Sequence, residues 1–269
     1  MNVLVVTPTY NERENLPLLA AGVLAHDGFR LLVVDDGSPD GTGAIADRLA
    51  LDHPGRVEVM HRTGPRGLGR SYVDGLMRAI AEGQAEFVCQ MDCDLSHDPT
   101  YLPSLVNAAA AGHDLVIGSR YMNGGVSVVN WPIHRILLSA FGNRYIRLIT
   151  NLAASDCTSG YRCWRREALA RLPIAAMVSD GYSFLVEMLF EAKQRGFRIG
   201  EVPIIFIERR LGQSKLSSNV LIESLIMPWR LVLRSSGRAA ASPPRERSGD
   251  PGDPASDRAG GSGGAKPPG

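Results

Sequence analysis

The sequence predicts an α/β fold in which a mostly parallel sheet carries helices on both faces. Three observations predict it. Short apolar runs of strand length alternate with longer segments whose apolar residues recur every three or four positions. The alternation runs through the first 120 residues, and clusters of polar residues follow the strand-like runs. Strands joined by helical crossovers pair in parallel and are covered on both sides, so their sequences are nearly all apolar.

Taken in order, NVLVVTP forms the first strand and ENLPLLAAGVLAH the helix after it. FRLLVVDD and GTGAIADRLALDH make the second pair, RVEVMHR and GRSYVDGLMRAIAEG the third. The fourth strand, read from Glu86 to Met91, runs into Asp92 and is followed by the helical PTYLPSLVNAAAAG; HDLVIGSR is the fifth strand. Ligands on such sheets bind beyond the carboxyl ends of the strands, where the strand order reverses. TPTYNE, DDGSPDGT, DCDLSH and GSRY follow the first, second, fourth and fifth strands, so the polar clusters share one edge.

Composition narrows the class. The chain has 269 residues, 44% hydrophobic and 21% charged, which is ordinary for a globular protein. Its 29 basic and 28 acidic residues leave a formal charge of +1, against a generic nucleic-acid binder. Cys89, Cys93, Cys157 and Cys163 form no CxxC pair, so a zinc or disulfide framework is not expected and a reducing cytosol fits. MNVLVVTPTY lacks the basic start of a signal peptide, and no stretch reaches 18 uninterrupted apolar residues. Residues 239–269 are mostly Gly, Pro, Ala and Ser, with no Leu, Ile, Val or aromatic side chain. Such a segment cannot offset its own ordering entropy; it reads as a disordered tail, or as a linker to a further domain, after one ordered domain over 1–238.

Several motifs carry chemistry. Asp35 and Asp36 end the second strand; adjacent strand residues point to opposite sides, which assigns Asp36 to a ligand and leaves Asp35 open. Asp40 or Ser38 caps the next helix. On the fourth strand alternation would put Asp92 and Asp94 on one face, about 6–7 Å apart. Two such carboxylates repel unless a cation lies between them, and hard oxygen donors favour Mg²⁺ or Mn²⁺ bridging to a diphosphate. A solvated acidic turn before a helix near Pro99 is the plain alternative, and it leaves the alternation unexplained. Arg120, Arg135, Arg209 and Lys215 are candidate phosphate partners, although each taken singly reads as a surface cation. There is no GxxxxGK[ST] and no GxGxxG, which argues against a dinucleotide oxidoreductase. The six histidines form no HExxH pair, and His97 alone is near the proposed metal. Two segments, 128–141 with its continuation to Arg147 and 219–233, mix large apolar residues and Trp with Arg. Each reads equally as an interfacial amphipathic helix or as a core-facing one. Glu223, Pro228 and Arg230 interrupt the second, so it would lie on a bilayer or a partner rather than span it.

PTYNERENL, VVDDGSPDGT, GLGRSYVDGL, QMDCDLSH, GSRY, SGYRCWRREAL and ERRLGQSKL occur in that order over residues 3 to about 233. This set closely resembles the dolichol/polyprenol-phosphate mannose synthases among the family 2 inverting glycosyltransferases of the GT-A fold, especially the catalytic subunits without transmembrane helices. The resemblance implies that Pro8, Tyr10, Glu12, Val34 and Asp36 hold the guanosine of GDP-mannose. It implies that Asp92, Cys93 and Asp94 meet the ribose, metal (Mg²⁺ or Mn²⁺) and diphosphate, with Asp92 and Asp94 as metal ligands. Arg120, Arg209 and Lys215 would contact the phosphates or mannose, and Arg135 with Ser139 the acceptor phosphate; Asp94, Arg120 and Arg135 carry the catalytic roles. Cys93 replaces the small residue usual inside the DxD, and Ser96 stands where some members carry a Gln metal ligand. The implied reaction moves mannose to a polyprenyl monophosphate with inversion, at the cytoplasmic face of a membrane, with a membrane-embedded partner as a possible anchor. Another nucleotide sugar, such as UDP-glucose, is the alternative donor, because the residues alone do not read the sugar.

Overall fold

Strand β1 (Val3–Thr9) sets the architecture: all seven of its residues are buried, with Val3 and Val5 facing one hydrophobic layer and Leu4 and Val6 the other. The two-residue side-chain period distributes a continuous apolar run to both faces in this way. The computed structural model describes residues 1–122, 125–177, 179, 181–208 and 225–235. After β1 come α1 (Asn15–Leu24), β2 (Phe29–Asp35), α2 (Thr42–Asp52), β3 (Val57–His61), α3 (Leu68–Glu82) and β4 (Phe87–Gln90). A 3₁₀ turn at Pro99–Tyr101 leads into α4 (Leu102–Ala110) and β5 (Leu115–Ser119). Then follow β6 (Val128–Val129), α5 (Ile133–Thr150), β7 (Arg162–Arg165), α6 (Arg166–Leu169), α7 (Gly181–Gln194), β8 (Ile199–Pro203) and β9 (Phe206–Ile207). A last helix, α8, covers 225–235.

The main sheet has the order β3-β2-β1-β4-β7-β5-β8, and β6 pairs with β9 in a separate ribbon. Every pair in the main sheet is parallel except those of β7, which runs antiparallel to β4 and β5. The chain leaves β1 towards β2 and β3 and returns on the other side as β4, which makes the β1/β4 boundary the reversal point where a ligand crevice forms. Helix α3 lies close over it. A Cβ on Gly75 would stand 2.6 Å from Val6 Cγ1 and 2.8 Å from Val34 Cγ2, so the glycine allows the helix to approach.

Strand β7 brings a charge into the core. Arg162 is fully buried and donates to the carbonyl oxygens of Ser159, Leu185 and Cys157 at 2.9, 2.7 and 3.1 Å. Burial lowers its pKa to about 10. These bonds tie the loop before β7 to α7, beneath the edge that carries the acidic residues.

Candidate active site

The parallel strands bring the predicted clusters to one sheet edge. The acidic tip differs from its expected form, because β4 stops at Gln90 and strand alternation does not relate Asp92 to Asp94. The segment bends instead. Leu95 takes φ 60°, a left-handed conformation that costs a residue with a side chain roughly 1–2 kcal/mol. Ser96 returns its N–H (3.1 Å) and its hydroxyl (2.5 Å) to Asp94 Oδ1. Asp92 Oδ1 accepts the Tyr72 hydroxyl at 2.9 Å, and a Cβ on Gly160 would lie 3.2 Å from Asp92 Oδ2.

The two acids still act on shared neighbours. Burial pushes the Tyr72 phenol well up, and Asp92 and Asp94 add to it. Burial also pushes the Cys93 thiol well up, and the charges of Glu12, Asp94 and Asp92 add to it. His97 is buried, stacked 4.9 Å from Tyr161 and set edge-on 5.6 Å from Phe206. Its Nδ1 accepts the Asp92 backbone N–H at 3.3 Å, which assigns the proton to Nε2. Burial lowers its pKa, and the ring packs between Tyr161 and Phe206. Among the described residues no cluster of three His, Cys, Asp or Glu side chains is arranged to hold a metal.

On the β1/β2 side, Asp36 is buried, ion-paired with Arg62 and bonded to the Gly67 N–H at 2.9 Å. Asp35 accepts Ser38 Oγ (2.5 Å) and Thr9 Oγ1 (3.3 Å). The N-cap of α2 is Gly41 and has no side-chain cap, so neither Ser38 nor Asp40 caps the helix; Asp40, one residue earlier, accepts the Thr42 N–H (3.0 Å) and hydroxyl (2.6 Å). Arg66 lies 4.7 Å over the Tyr10 ring and donates to Tyr10 Oη (2.8 Å) and the Gly37 carbonyl (3.2 Å). Glu12 accepts Asn15 Nδ2 at 2.7 Å. Pro8 is buried on β1, and Val34 has its side chain in the core beneath α3 and does not bring it to the site. Arg62 and Arg66 are the residues sequence reasoning missed. They sit in the loop RTGPRG, where no periodicity or motif separates them from surface cations.

On the β5 side, Arg120 is buried and grips Asp156: Nε to Oδ2 at 2.7 Å, Nη2 to Oδ1 at 2.8 Å and its backbone N–H to Oδ2 at 3.1 Å. Burial acts to raise the Asp156 pKa, but the charge and hydrogen bonds of Arg120 hold it below the usual carboxylate value. The Arg120 guanidinium lies 5.7 Å from the Tyr121 and Trp131 rings and 5.3 Å from Phe206. Arg135 stands 4.3 Å over the same Trp131 ring and pairs with Glu208. The Tyr121 hydroxyl donates to Ser139 Oγ at 2.7 Å. Tyr121 and Trp131 therefore draw Arg120, Arg135 and Ser139 into one cluster, while the Trp131 Nε1 is buried without a partner. Arg209 and Lys215 lie outside the described residues.

The segment read as one amphipathic stretch from residue 128 divides into β6 and α5. Helix α5 exposes Ile133, Leu137, Leu138, Phe141 and Leu148, and α8 exposes Leu225, Ile226, Trp229 and Leu233. The helices meet where Trp229 Nε1 donates to Tyr145 Oη (3.0 Å) and Tyr145 Oη to the Leu225 carbonyl (2.8 Å). Residues 133–150 and 225–235 contain five arginines and no acidic residue. Arg144 and Arg147 line a cleft of about 390 Å³ with Tyr121, Asn143 and Ser155. Among the described residues no helix is long and apolar enough to cross a membrane. Residues 219–224 of the second predicted segment, and the tail over 239–269, lie outside the described residues.

Residues 4–172 match glycosyl transferase family 2. A polyprenol monophosphomannose synthase of Mycolicibacterium smegmatis is 48% identical over 223 residues, covering 82% of this chain and 83% of the relative. An undecaprenyl-phosphate mannosyltransferase of Micrococcus luteus is 43% identical over 243 residues, covering 89% and 98%. Among solved structures, glucosyl-3-phosphoglycerate synthase from Mycobacterium tuberculosis, in complex with Mn²⁺, UDP and glucosyl-3-phosphoglycerate, aligns with a TM-score of 0.61. That alignment covers 90% of this chain and 81% of the other at 19% identity, a likeness of fold, which is of the GT-A type.

Proposed function

The chain belongs to glycosyl transferase family 2, and from that premise we propose that it transfers mannose from GDP-mannose to a polyprenyl monophosphate with inversion. It is a glycosyltransferase of the polyprenyl-phosphate mannosyltransferase kind. The observation that carries the detailed reading is the meeting of an acidic tip, Asp92 and Asp94, with an arginine–aromatic cluster at one sheet edge. A diphosphate donor suits the first and a phosphate acceptor the second.

In this reading a phosphate oxygen of the acceptor forms the bond to the anomeric carbon. The bond from that carbon to the diphosphate oxygen breaks, and GDP leaves with the electron pair. No strong general base is required, since a phosphate monoester has its second pKa at about 6 and is already anionic at pH 7. What the protein supplies is alignment and charge. Arg120, Arg135 and Ser139, with Arg209 and Lys215, hold the phosphates close despite their mutual repulsion. Tyr10, Glu12 and Asp36 hold the nucleoside, together with Pro8 and the backbone at Val34; Arg62 and Arg66 brace that side. Asp92 and Asp94, an all-oxygen pair, would hold a hard cation. The chemistry such an ion, Mg²⁺ or Mn²⁺, would supply is neutralisation of charge on the departing diphosphate. Cys93 contributes backbone only, its side chain being buried.

Mass spectrometry of the product from GDP-mannose, a polyprenyl phosphate and Mg²⁺ tests the reading, with UDP-glucose as the competing donor. A lipid phosphoglucose formed only from UDP-glucose would replace it.

The exposed apolar faces of α5 and α8, ringed by arginine, would rest on the cytoplasmic face of an anionic membrane, alone or with an embedded partner. Phe141→Glu together with Leu137→Glu is expected to lower the fraction that floats with anionic liposomes several-fold while leaving the thermal melt unchanged. Equal flotation of the variant would remove α5 from the contact.

A further inference from the structure

The cation assigned to the acceptor phosphate already holds an anion. Arg135 on α5 is ion-paired with Glu208, with 23% and 32% of the two side chains exposed, so the contact is accessible to a ligand. Among the described residues neither makes another ion pair. Glu208 is fixed by its backbone: its N–H donates to the Val129 carbonyl at 3.2 Å, extending the β6–β9 ladder in which Val128 pairs with Phe206. The same ladder brings Phe206 edge-on to Trp131 at 5.5 Å, and Trp131 supports Arg135 from below. The carboxylate thus stands in the arginine–aromatic cluster by construction of the ribbon.

We propose that Glu208 is an internal counter-ion that a phosphate monoester displaces from Arg135, and that takes Arg135 back once the phosphate has become a diester. The inference rests on the reading of Arg135 as an acceptor-phosphate ligand. The physical basis is the charge change in the reaction. A phosphate monoester carries about −1.5 to −2 at pH 7, whereas the mannosylated diester, with no second ionisable oxygen, carries −1. A single carboxylate loses Arg135 to the first and competes on even terms with the second. Displacing Glu208 therefore costs the acceptor monoester the full strength of the pair and the weaker-bound diester at most that much, and Glu208 retakes Arg135 as the product leaves.

Initial rates and product inhibition, measured with GDP-mannose and a short polyprenyl monophosphate in detergent micelles, test this. Glu208→Gln keeps the size and removes the charge. It should lower the acceptor KM about two- to fivefold, the range for a partly exposed ion pair. The inhibition constant of the lipid phosphomannose should fall by a smaller factor, with the KM for GDP-mannose unmoved. Glu208→Asp, which keeps the charge, should restore the parent ratio of acceptor KM to product inhibition constant. Glu208→Ser, checked by thermal melt, repeats the measurement should the Gln variant fold poorly. An acceptor KM that stays constant or rises in the folded charge-removing variant overturns the proposal. Arg135→Gln separates the two layers. If it raises the acceptor KM while Glu208→Gln does not lower it, the counter-ion role alone fails. If Arg135→Gln leaves the acceptor KM unmoved, the acceptor-site reading fails and the inference with it.

Discussion

Asp94→Ala is expected to reduce mannosyl transfer by on the order of 10³-fold or more while the protein remains folded, as removal of a group stabilising several kcal/mol of developing charge requires. The choice of Asp94 over Asp92 follows from their surroundings. Asp92 accepts the hydroxyl of the fully buried Tyr72, so its truncation strands a buried phenol at a cost of about 1–3 kcal/mol and confuses stability with activity. Asp94 accepts the N–H and the hydroxyl of Ser96, two residues along the same bend. Thermal unfolding of the variant checks that the fold is retained. Release of GDP in Mg²⁺- or Mn²⁺-containing buffer is the measurement, and near-normal turnover by the variant would exclude Asp94 from the reaction.

Much of this arrangement was legible in the residues. The five apolar runs became β1 to β5 because parallel strands covered on both faces need unbroken Val, Leu and Ile, a pattern that stands out from its surroundings. The convergence of four polar clusters on one edge followed from strand direction alone. Strand β7 was harder to see: RCWR is four residues long and holds two arginines, so it carries neither an apolar run nor alternation. Its place between β4 and β5 is set by contacts distant in sequence, such as Trp164 Nε1 donating to Gln90 at 2.7 Å. The acidic tip was assigned for a reason the fold does not support, since the strand ends two residues before Asp92 and a left-handed Leu95 shapes the bend. Arg62 and Arg66 acquire their meaning only from the register that lays β3 beside β2. Asp156 likewise follows no motif of its own and is identified only by the arginine it meets.

That pairing gives the second large effect. Asp156→Asn is expected to destabilise the protein by about 3–5 kcal/mol, because it breaks the buried ion pair in which Arg120 grips Asp156. Chemical denaturation at several pH values checks both the size and the cause. The native pKa of Asp156 lies below its ordinary value of 3.8. Its contribution is therefore fully present above that value and lost as pH falls through the lower native value. The gap between wild type and variant should be constant from about pH 5 to 8 and narrow only below about pH 3.8. A gap that already closes near neutrality would mean that another titrating group carries the effect. Arg120→Met combined with Asp156→Leu then separates packing from chemistry. Replacing both members of a buried pair by apolar residues of similar size is often neutral or stabilising, so the double variant should regain most of the lost stability. If it folds and still fails to transfer mannose, Arg120 contributes to the reaction beyond holding Asp156. If turnover returns with stability, the aromatic cluster and Arg135 hold the phosphates without it, and Arg120 serves only to shape the floor on which they meet.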